Sequence, residues 1–133
     1  MFIITNLASD IFPKIFHIMV TNEAVIEENI KLIPLKTFIS TVLLAPIYEE
    51  IIFRKNFKEA FSNKWSFSIC TGIIFGIFHV LTIAKLIELV YLPIYIYMGI
   101  TLGIIYYNDN NILSSIKYHM LNNLLTFMII LFF

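Results

Sequence analysis

The chain has 133 residues, of which 59% are hydrophobic and only 14% are charged, and its mean hydropathy is +0.87. Soluble proteins carry roughly 25% charged residues, so this composition indicates a protein in contact with lipid. The formal net charge is zero, which gives no sign of a nucleic-acid partner. The single cysteine, Cys70, excludes an intrachain disulfide and a cysteine-based zinc site, and its apolar surroundings predict that it is buried.

The first segment, residues 1–34, is predicted to be an accessory region. Its apolar run from Met1 to Val20 is interrupted by Asp10, Pro13 and Lys14, so we expect an interfacial or poorly spanning helix and no signal peptide. His17 has no polar neighbour four residues away, and we interpret it as an interfacial residue. Thr21 to Lys31 is predicted to be a polar connector.

Residues 35–133 are predicted to form the core of the protein. A membrane-spanning helix needs about 20 mostly apolar residues, and three segments meet this requirement. They are Trp65–Ala84, Leu89–Tyr107, in which Pro93 is a candidate for a kink, and Ile112–Phe133. A fourth segment, Leu35–Phe57, is apolar up to Tyr48 and carries charged residues after it. The sequence therefore predicts an all-α fold, a multi-pass transmembrane bundle of four core helices plus the N-terminal accessory helix.

The connectors predict how the bundle is oriented. Arg54 to Lys64 carries four basic residues, which places this connector on the cytoplasmic side. Asn108 to Asn111 is a clear turn signal and should lie on the same side. The connector from Lys85 to Glu88 should then face outward.

Three groups of polar residues interrupt the apolar helices at positions four residues apart, where two side chains share one helix face. Glu50 and Arg54 can form an ion pair, whereas Glu49 points about 100° away and has no such partner. A carboxylate of this kind suits a general base. The same residues are also compatible with a helix end that emerges into water.

The other two groups carry histidines. His79 follows Phe75 by four residues on a helix without charges, and Gly72 and Gly76 on that helix should permit close approach of a neighbour. His119 and Asn123 share one face of the last helix, with Asn122 on the neighbouring face. Each group alone is also explained by packing or by interhelical hydrogen bonds.

Together the three groups predict one shared site. Charged groups at membrane depth cost on the order of 2.5–3.5 kcal/mol each, so polar residues there are functional candidates. A bundle can turn all three groups inward, and separate structural explanations for each are less economical than one cavity.

The motifs resemble those of a known family. Ala45 to Arg54 is similar to the E-E-x-x-x-R motif of the CPBP family, the CAAX proteases and bacteriocin-processing enzymes that are also called the Abi family. Phe75–His79 resembles its F-x-x-x-H motif, and His119–Asn123 resembles its H-x-x-x-N motif. The resemblance covers roughly residues 37–133, and all three motifs occur in the family's order.

The resemblance implies an intramembrane endopeptidase. In such an enzyme Glu49 and His79 would activate a water molecule, and His119, in its neutral form, and Asn123 would stabilise the oxyanion of the tetrahedral intermediate. This assignment agrees with the needs of peptide hydrolysis, which are a base for water and donors for the developing negative charge.

The resemblance also implies that Glu50 and Arg54 form a structural ion pair. No cofactor is favoured, but a divalent metal is an alternative: Glu49, His79 and His119 would supply a zinc site with one open position. The sequence contains no H-E-x-x-H motif, and we favour the mechanism without metal.

The implied partners are membrane lipid and a peptide substrate, either prenylated or bacteriocin-like, with no nucleic acid. The expected location is the bacterial plasma membrane, and the sequence does not specify an oligomeric state. Two alternatives stay open at this point: a bacteriocin self-immunity factor that acts by binding without catalysis, and an ion or proton pathway built from the same polar residues.

Overall fold

The computed structural model describes residues 21–81 and 86–132, and all regular structure within those ranges is helical. The α-helices are α1 (Thr21–Leu32), α2 (Pro34–Thr37), α3 (Ala45–Phe53), α4 (Lys64–Leu81), α5 (Leu92–Asp109) and α6 (Ile112–Phe132). A π-helical stretch, Phe38–Leu44, joins α2 to α3, and short 3₁₀ helices span Lys55–Ala60 and Leu86–Tyr91.

Helices α4 and α5 form a tight antiparallel pair. A Cβ added to Gly72 would lie 2.6 Å from the backbone nitrogen of Ile100, and one added to Gly76 would lie 2.9 Å from that of Ile96. Further along the pair, Gly103 faces Ser68 in the same way. Contacts this short require glycine, which confirms the prediction that Gly72 and Gly76 permit close approach.

Polar connectors at one end of the bundle define where the helices begin. Asn63 caps α4, since its Oδ1 accepts a hydrogen bond from the Trp65 backbone N–H at 2.7 Å. Between α5 and α6 the chain turns at Asn110, which adopts the left-handed conformation with φ 49°, and Asn111 caps α6. The turn predicted for Asn108 to Asn111 is therefore confirmed.

The prediction that Thr21 to Lys31 is a polar connector is wrong, because this segment forms helix α1. Ile26 and Ile30 lie four residues apart on one face and pack against the cluster of Val42 and Phe127. Burial of this apolar face stabilises the helix. The charged residues on its opposite face gave the segment the composition of a connector. The accessory helix predicted before it, including His17, lies outside the described residues.

The predicted segment Leu35–Phe57 is not one regular α-helix. It is helical from Pro34 to Phe53, but the hydrogen-bond spacing changes to that of a π-helix over Phe38–Leu44. Pro46, which has no N–H, lies in the first turn of α3, where it is tolerated. The same rule corrects the kink expected at Pro93: that proline lies in the first turn of α5.

Large apolar side chains cover much of the outside of the bundle. Ile69, Ile73 and Ile77 form an exposed row on α4, and α6 exposes Leu121 and Leu125. Cys70 is also exposed, so the prediction that it is buried is wrong. Among the described residues, one helix, Leu89–Asp109, is long and apolar enough to cross a membrane, so the multi-pass arrangement stays a prediction.

Candidate active site

Three side chains from separate helices meet at one cavity. Glu49 lies on α3, His79 near the end of α4, and His119 in the first half of α6. Glu49 Oε2 lies 3.6 Å from His79 Nε2 and 3.6 Å from His119 Nε2. These distances exceed a direct hydrogen bond, and Glu49 Oε2 has no hydrogen-bond partner within the described part of the chain. The structure thus brings together the three ionisable residues singled out in the sequence.

Glu50 is the buried anchor of this site. It is fully buried, and its carboxylate accepts hydrogen bonds from the Ser115 hydroxyl and from His119 Nδ1, the latter at 3.0 Å. Arg54 Nε lies 3.5 Å from Glu50 Oε2, so the two side chains predicted to form an ion pair are in contact. Glu50 therefore links α3 to α6 in addition to facing Arg54.

Arg54 extends the same anchor to α4 and α5. Its guanidinium is fully buried, donates a hydrogen bond to the Gly99 carbonyl at 3.0 Å, and lies 4.7 Å from the centre of the Phe75 ring. A buried guanidinium needs a counter-charge and hydrogen-bond acceptors. Glu50 supplies the charge, while Phe75 supplies an aromatic face that attracts a cation.

Hydrogen bonds at Nδ1 decide which histidine nitrogens face the cavity. His79 Nδ1 lies 2.9 Å from the Phe75 carbonyl oxygen, which can only accept. His119 Nδ1 likewise donates to the Glu50 carboxylate. In the neutral form of each ring, Nε2 then holds a lone pair towards Glu49. With Nδ1 donating to Glu50, donation from His119 Nε2 into the cavity requires the doubly protonated ring.

Asn123 lies on the same wall as His119 but contacts neither glutamate through any hydrogen bond recorded for the described residues. Its Nδ2 donates a hydrogen bond of 2.9 Å to the backbone carbonyl of Thr41. Asn123 also lines the cavity, and the hydrogen bond to Thr41 uses only one of the two N–H groups of its amide. A side-chain amide in this position can donate to a developing negative charge.

Two residues of the site went unrecognised in the sequence. Ser115 lies four residues before His119, so the spacing of Ser115, His119 and Asn123 on one face of α6 was a readable signal. Asn122, assigned to a neighbouring face, is 7% exposed and also lines the cavity. Its Nδ2 lies 3.6 Å from the Met98 sulfur, and its Oδ1 has no partner among the described residues.

The polar groups line a cavity of about 380 Å³. Apolar side chains of α1, α5 and α6 line the same cavity, namely Ile26, Ile30, Ile94, Phe127 and Ile130. A cavity of this size is in the range that holds a small molecule or part of a peptide. The carboxylate of Glu49 and these apolar side chains therefore share one cavity.

The donors of the alternative zinc site are chemically suitable but are not arranged as one. Two imidazole nitrogens and a carboxylate oxygen are ligands that zinc accepts, and their Nδ1 partners are of the kind that orient metal-binding histidines. Within residues 21–81 and 86–132, however, no group of three histidine, cysteine, aspartate or glutamate side chains has the geometry to hold a metal ion. We therefore derive no step through a metal.

Comparison with known proteins adds independent information. A family model described as type II CAAX prenyl endopeptidase Rce1-like matches residues 31–125, a range that includes all three motifs. The chain is 33% identical over 113 residues to a protein of Bacillus subtilis (strain 168) named "Putative membrane peptidase YdiL", covering 83% of this chain and 42% of that protein.

A second relative is the UPF0177 protein YaiH of Lactococcus lactis subsp. lactis (strain IL1403), which is 37% identical over 99 residues, 74% of this chain and 39% of that protein. The chain thus spans about two fifths of the length of these relatives. No solved structure gives a significant match to it.

Proposed function

This chain belongs to the type II CAAX prenyl endopeptidase Rce1-like family, and from that premise we propose that it is an intramembrane endopeptidase whose general base is Glu49. The resemblance carried by the three sequence motifs is confirmed at the family level. The observation that carries the proposal is the Glu49 carboxylate oxygen, which lies between two imidazole rings without a hydrogen-bond partner in the described structure and faces a cavity.

The proposed reaction begins with a water molecule between Glu49 and His79. Glu49 Oε2 takes a proton from the water molecule while the water oxygen attacks the carbonyl carbon of the scissile peptide bond. His79 orients the water, because its Nε2 lone pair accepts the second O–H. The His79 ring is fixed for this purpose between Phe75 and Tyr95, whose ring centres lie 4.1 and 4.9 Å away.

The tetrahedral intermediate carries its negative charge on the former carbonyl oxygen. The free N–H of Asn123 donates a hydrogen bond to that oxygen. His119 donates a second one when it is doubly protonated, and Glu50 stabilises the resulting positive charge. The intermediate collapses when the C–N bond breaks and the proton held by Glu49 passes to the leaving nitrogen, which restores the carboxylate.

The substrate proposed for this site is a membrane-bound peptide. The apolar side chains that line the cavity suit an apolar side chain or a prenyl group, and family membership favours prenylated or bacteriocin-related peptides. We place the chain in the bacterial plasma membrane as a multi-pass bundle. The exposed apolar rows of α4 and α6 support this placement, since such faces are stable against lipid.

The test is cleavage by the purified chain in lipid nanodiscs. The probes are a farnesylated peptide ending in a CAAX sequence and an unmodified bacteriocin leader peptide, and the products are identified by mass spectrometry. Glu49→Gln should lower kcat about 10²–10⁴-fold, the usual contribution of a general base, without changing the unfolding temperature. Glu59→Gln, at an exposed position, is the matched control and should cleave normally.

Two outcomes would contradict the proposal. Cleavage that survives Glu49→Gln would remove Glu49 from the chemistry. A wild-type chain that binds either peptide without cleaving it would favour the binding role of an immunity factor. Metal dependence is decided separately: loss of cleavage on treatment with 1,10-phenanthroline, with recovery on adding zinc, would replace the glutamate mechanism by the zinc alternative.

A further inference from the structure

The helix that leads into the two glutamates changes its hydrogen-bond spacing just before them. Over Phe38–Leu44 the chain is π-helical, and the Ala45 N–H donates to the Ser40 carbonyl, five residues earlier. Continued by one residue, this spacing would pair an N–H at position 46 with the carbonyl of Thr41. Stretches of π-helix inside α-helices are frequent at functional sites.

Position 46 is a proline, which has no N–H to donate. Position 46 therefore offers the Thr41 carbonyl no hydrogen bond, and Thr41 is half-buried at the wall of the cavity, where an unpaired carbonyl is costly. Asn123 supplies the missing donor through Nδ2 at 2.9 Å. A side chain of α6 therefore occupies the hydrogen-bond position that the backbone of α3 vacates.

This contact determines the orientation of the Asn123 amide. A carbonyl oxygen can only accept, so the amide must present Nδ2 and not Oδ1 to Thr41, and its second N–H points elsewhere. If the amide rotated by half a turn, Oδ1 would take the place of the NH₂ group. Asn123 would then present an acceptor, not a donor, to a developing oxyanion in the cavity, and their interaction would change from attractive to repulsive.

We propose that Pro46 is a positioning residue: by withholding an N–H from Thr41, it keeps that carbonyl available to hold Asn123 as a hydrogen-bond donor. The part of this inference that concerns the oxyanion rests on the proposed function. The part that concerns the contact between Thr41 and Asn123 does not. The two parts are tested by different measurements.

The contact is tested by solid-state NMR on the full chain in lipid. Asparagine is labelled with ¹⁵N in the side chain and threonine with ¹³C at the carbonyl, and dephasing between the two reports their proximity. In the wild type, the side-chain ¹⁵N signal of Asn123 should be dephased by the labelled Thr41 carbonyl. Thr41→Val should abolish this dephasing, because the valine keeps the backbone carbonyl but does not carry the ¹³C label. Absence of this dephasing in the wild type overturns the inference.

The role of the proline is tested with Pro46→Ala, which restores an N–H at position 46. The new N–H competes for the Thr41 carbonyl, so the dephasing of Asn123 should weaken. Unchanged dephasing in a folded Pro46→Ala chain overturns the inference, whatever the catalytic result. Pro34→Ala is the matched control, because Pro34 also lies in the first turn of a helix but is exposed and does not line the cavity.

Kinetics then connect the contact to catalysis. With the farnesylated CAAX peptide, Pro46→Ala should lower kcat about 10-fold or more and leave KM unchanged, since loss of one oxyanion donor costs about 10²–10³-fold. In an Asn123→Ala chain the same change should have no further effect. Additive losses would overturn the positioning role, because they would show that Pro46 acts independently of Asn123.

Discussion

Glu50 and Arg54 have no exposed surface, so neither side chain can turn to solvent if the other is removed. Removing one partner of a buried ion pair typically costs about 3–5 kcal/mol, because the remaining charge is left uncompensated. Arg54→Leu should therefore lower the unfolding temperature strongly, as followed by circular dichroism in detergent. Lys55→Leu, at the next and exposed position, should have little effect.

The double variant Glu50→Leu with Arg54→Leu separates stability from function. Replacing both members of a buried pair by apolar groups is often tolerated, so the double variant should be more stable than Arg54→Leu alone. It should still fail to cleave peptide, because His119 loses the carboxylate that orients its ring. A double variant less stable than both single variants would contradict this account.

Replacing Asn122 should affect stability and cleavage in opposite directions. Its Oδ1 is buried without a partner in the described structure, and such a group costs about 1–3 kcal/mol. Asn122→Leu should therefore keep or raise the unfolding temperature, while cleavage falls because the cavity loses an acceptor. Asn123→Leu is the matched comparison and should lower the unfolding temperature, since it leaves the Thr41 carbonyl unpaired. Equal destabilisation by both changes would disprove the distinction.

Site residues with charged or ionisable side chains in apolar helices could be found in the sequence. Residues that act through their backbone groups could not. Glu49, His79 and His119 stand out because charge is rare in apolar helices. The Thr41 carbonyl left no signal, because every residue has one. The hydrogen bond between His119 Nδ1 and Glu50 left no signal either, because the two residues are far apart in the chain.

At the scale of helices, the α4–α5 pair depends on glycine. A methyl group at Gly72 would meet the Ile100 backbone at 2.6 Å, and backbone does not yield as a side-chain end does. Gly72→Ala should separate the two helices and lower the unfolding temperature, with an overpacking cost of about 1–3 kcal/mol. Ser66→Ala, at an exposed site on the same helix, serves as the control. Equal unfolding temperatures would contradict the close contact.

Helices with uniform apolar sequence were predictable, whereas α1 and the π-helical stretch were not. The predicted spans from Trp65, Leu89 and Ile112 correspond to α4, α5 and α6. Helix α1 is polar on one face and is stabilised by packing of Ile30 on the neighbouring helices, which a local pattern does not show. The π-helical spacing of Phe38–Leu44 is a change in backbone hydrogen bonding, for which the side chains give no local pattern.

For the whole molecule, the structure places two connectors at one end. Lys58 Nζ lies 3.2 Å from Asn110 Oδ1, and the Tyr107 hydroxyl donates to the Ser62 carbonyl at 2.9 Å. The expectation that both connectors share a side is confirmed in this sense. Which side is cytoplasmic stays a prediction from the basic residues.

Cysteine labelling of intact cells tests the multi-pass arrangement. In a Cys70→Ser background, Ser62→Cys and Asp109→Cys should react with an impermeant maleimide from the same side of the membrane. Val90→Cys, in the 3₁₀ helix that leads into the other end of α5, should react only from the other side. Reaction of all three positions from one side would show that the bundle does not span the membrane.

The position of the site along the chain has a consequence for biosynthesis. Glu50 and His119 are 69 residues apart, while the helices between them, α4 and α5, can pair through local contacts alone. Hairpins of neighbouring helices form early because little chain entropy is lost in closing them. The carboxylates and the second imidazole meet only after α6 has docked, so a nascent chain lacking that helix holds an incomplete and inactive catalytic centre.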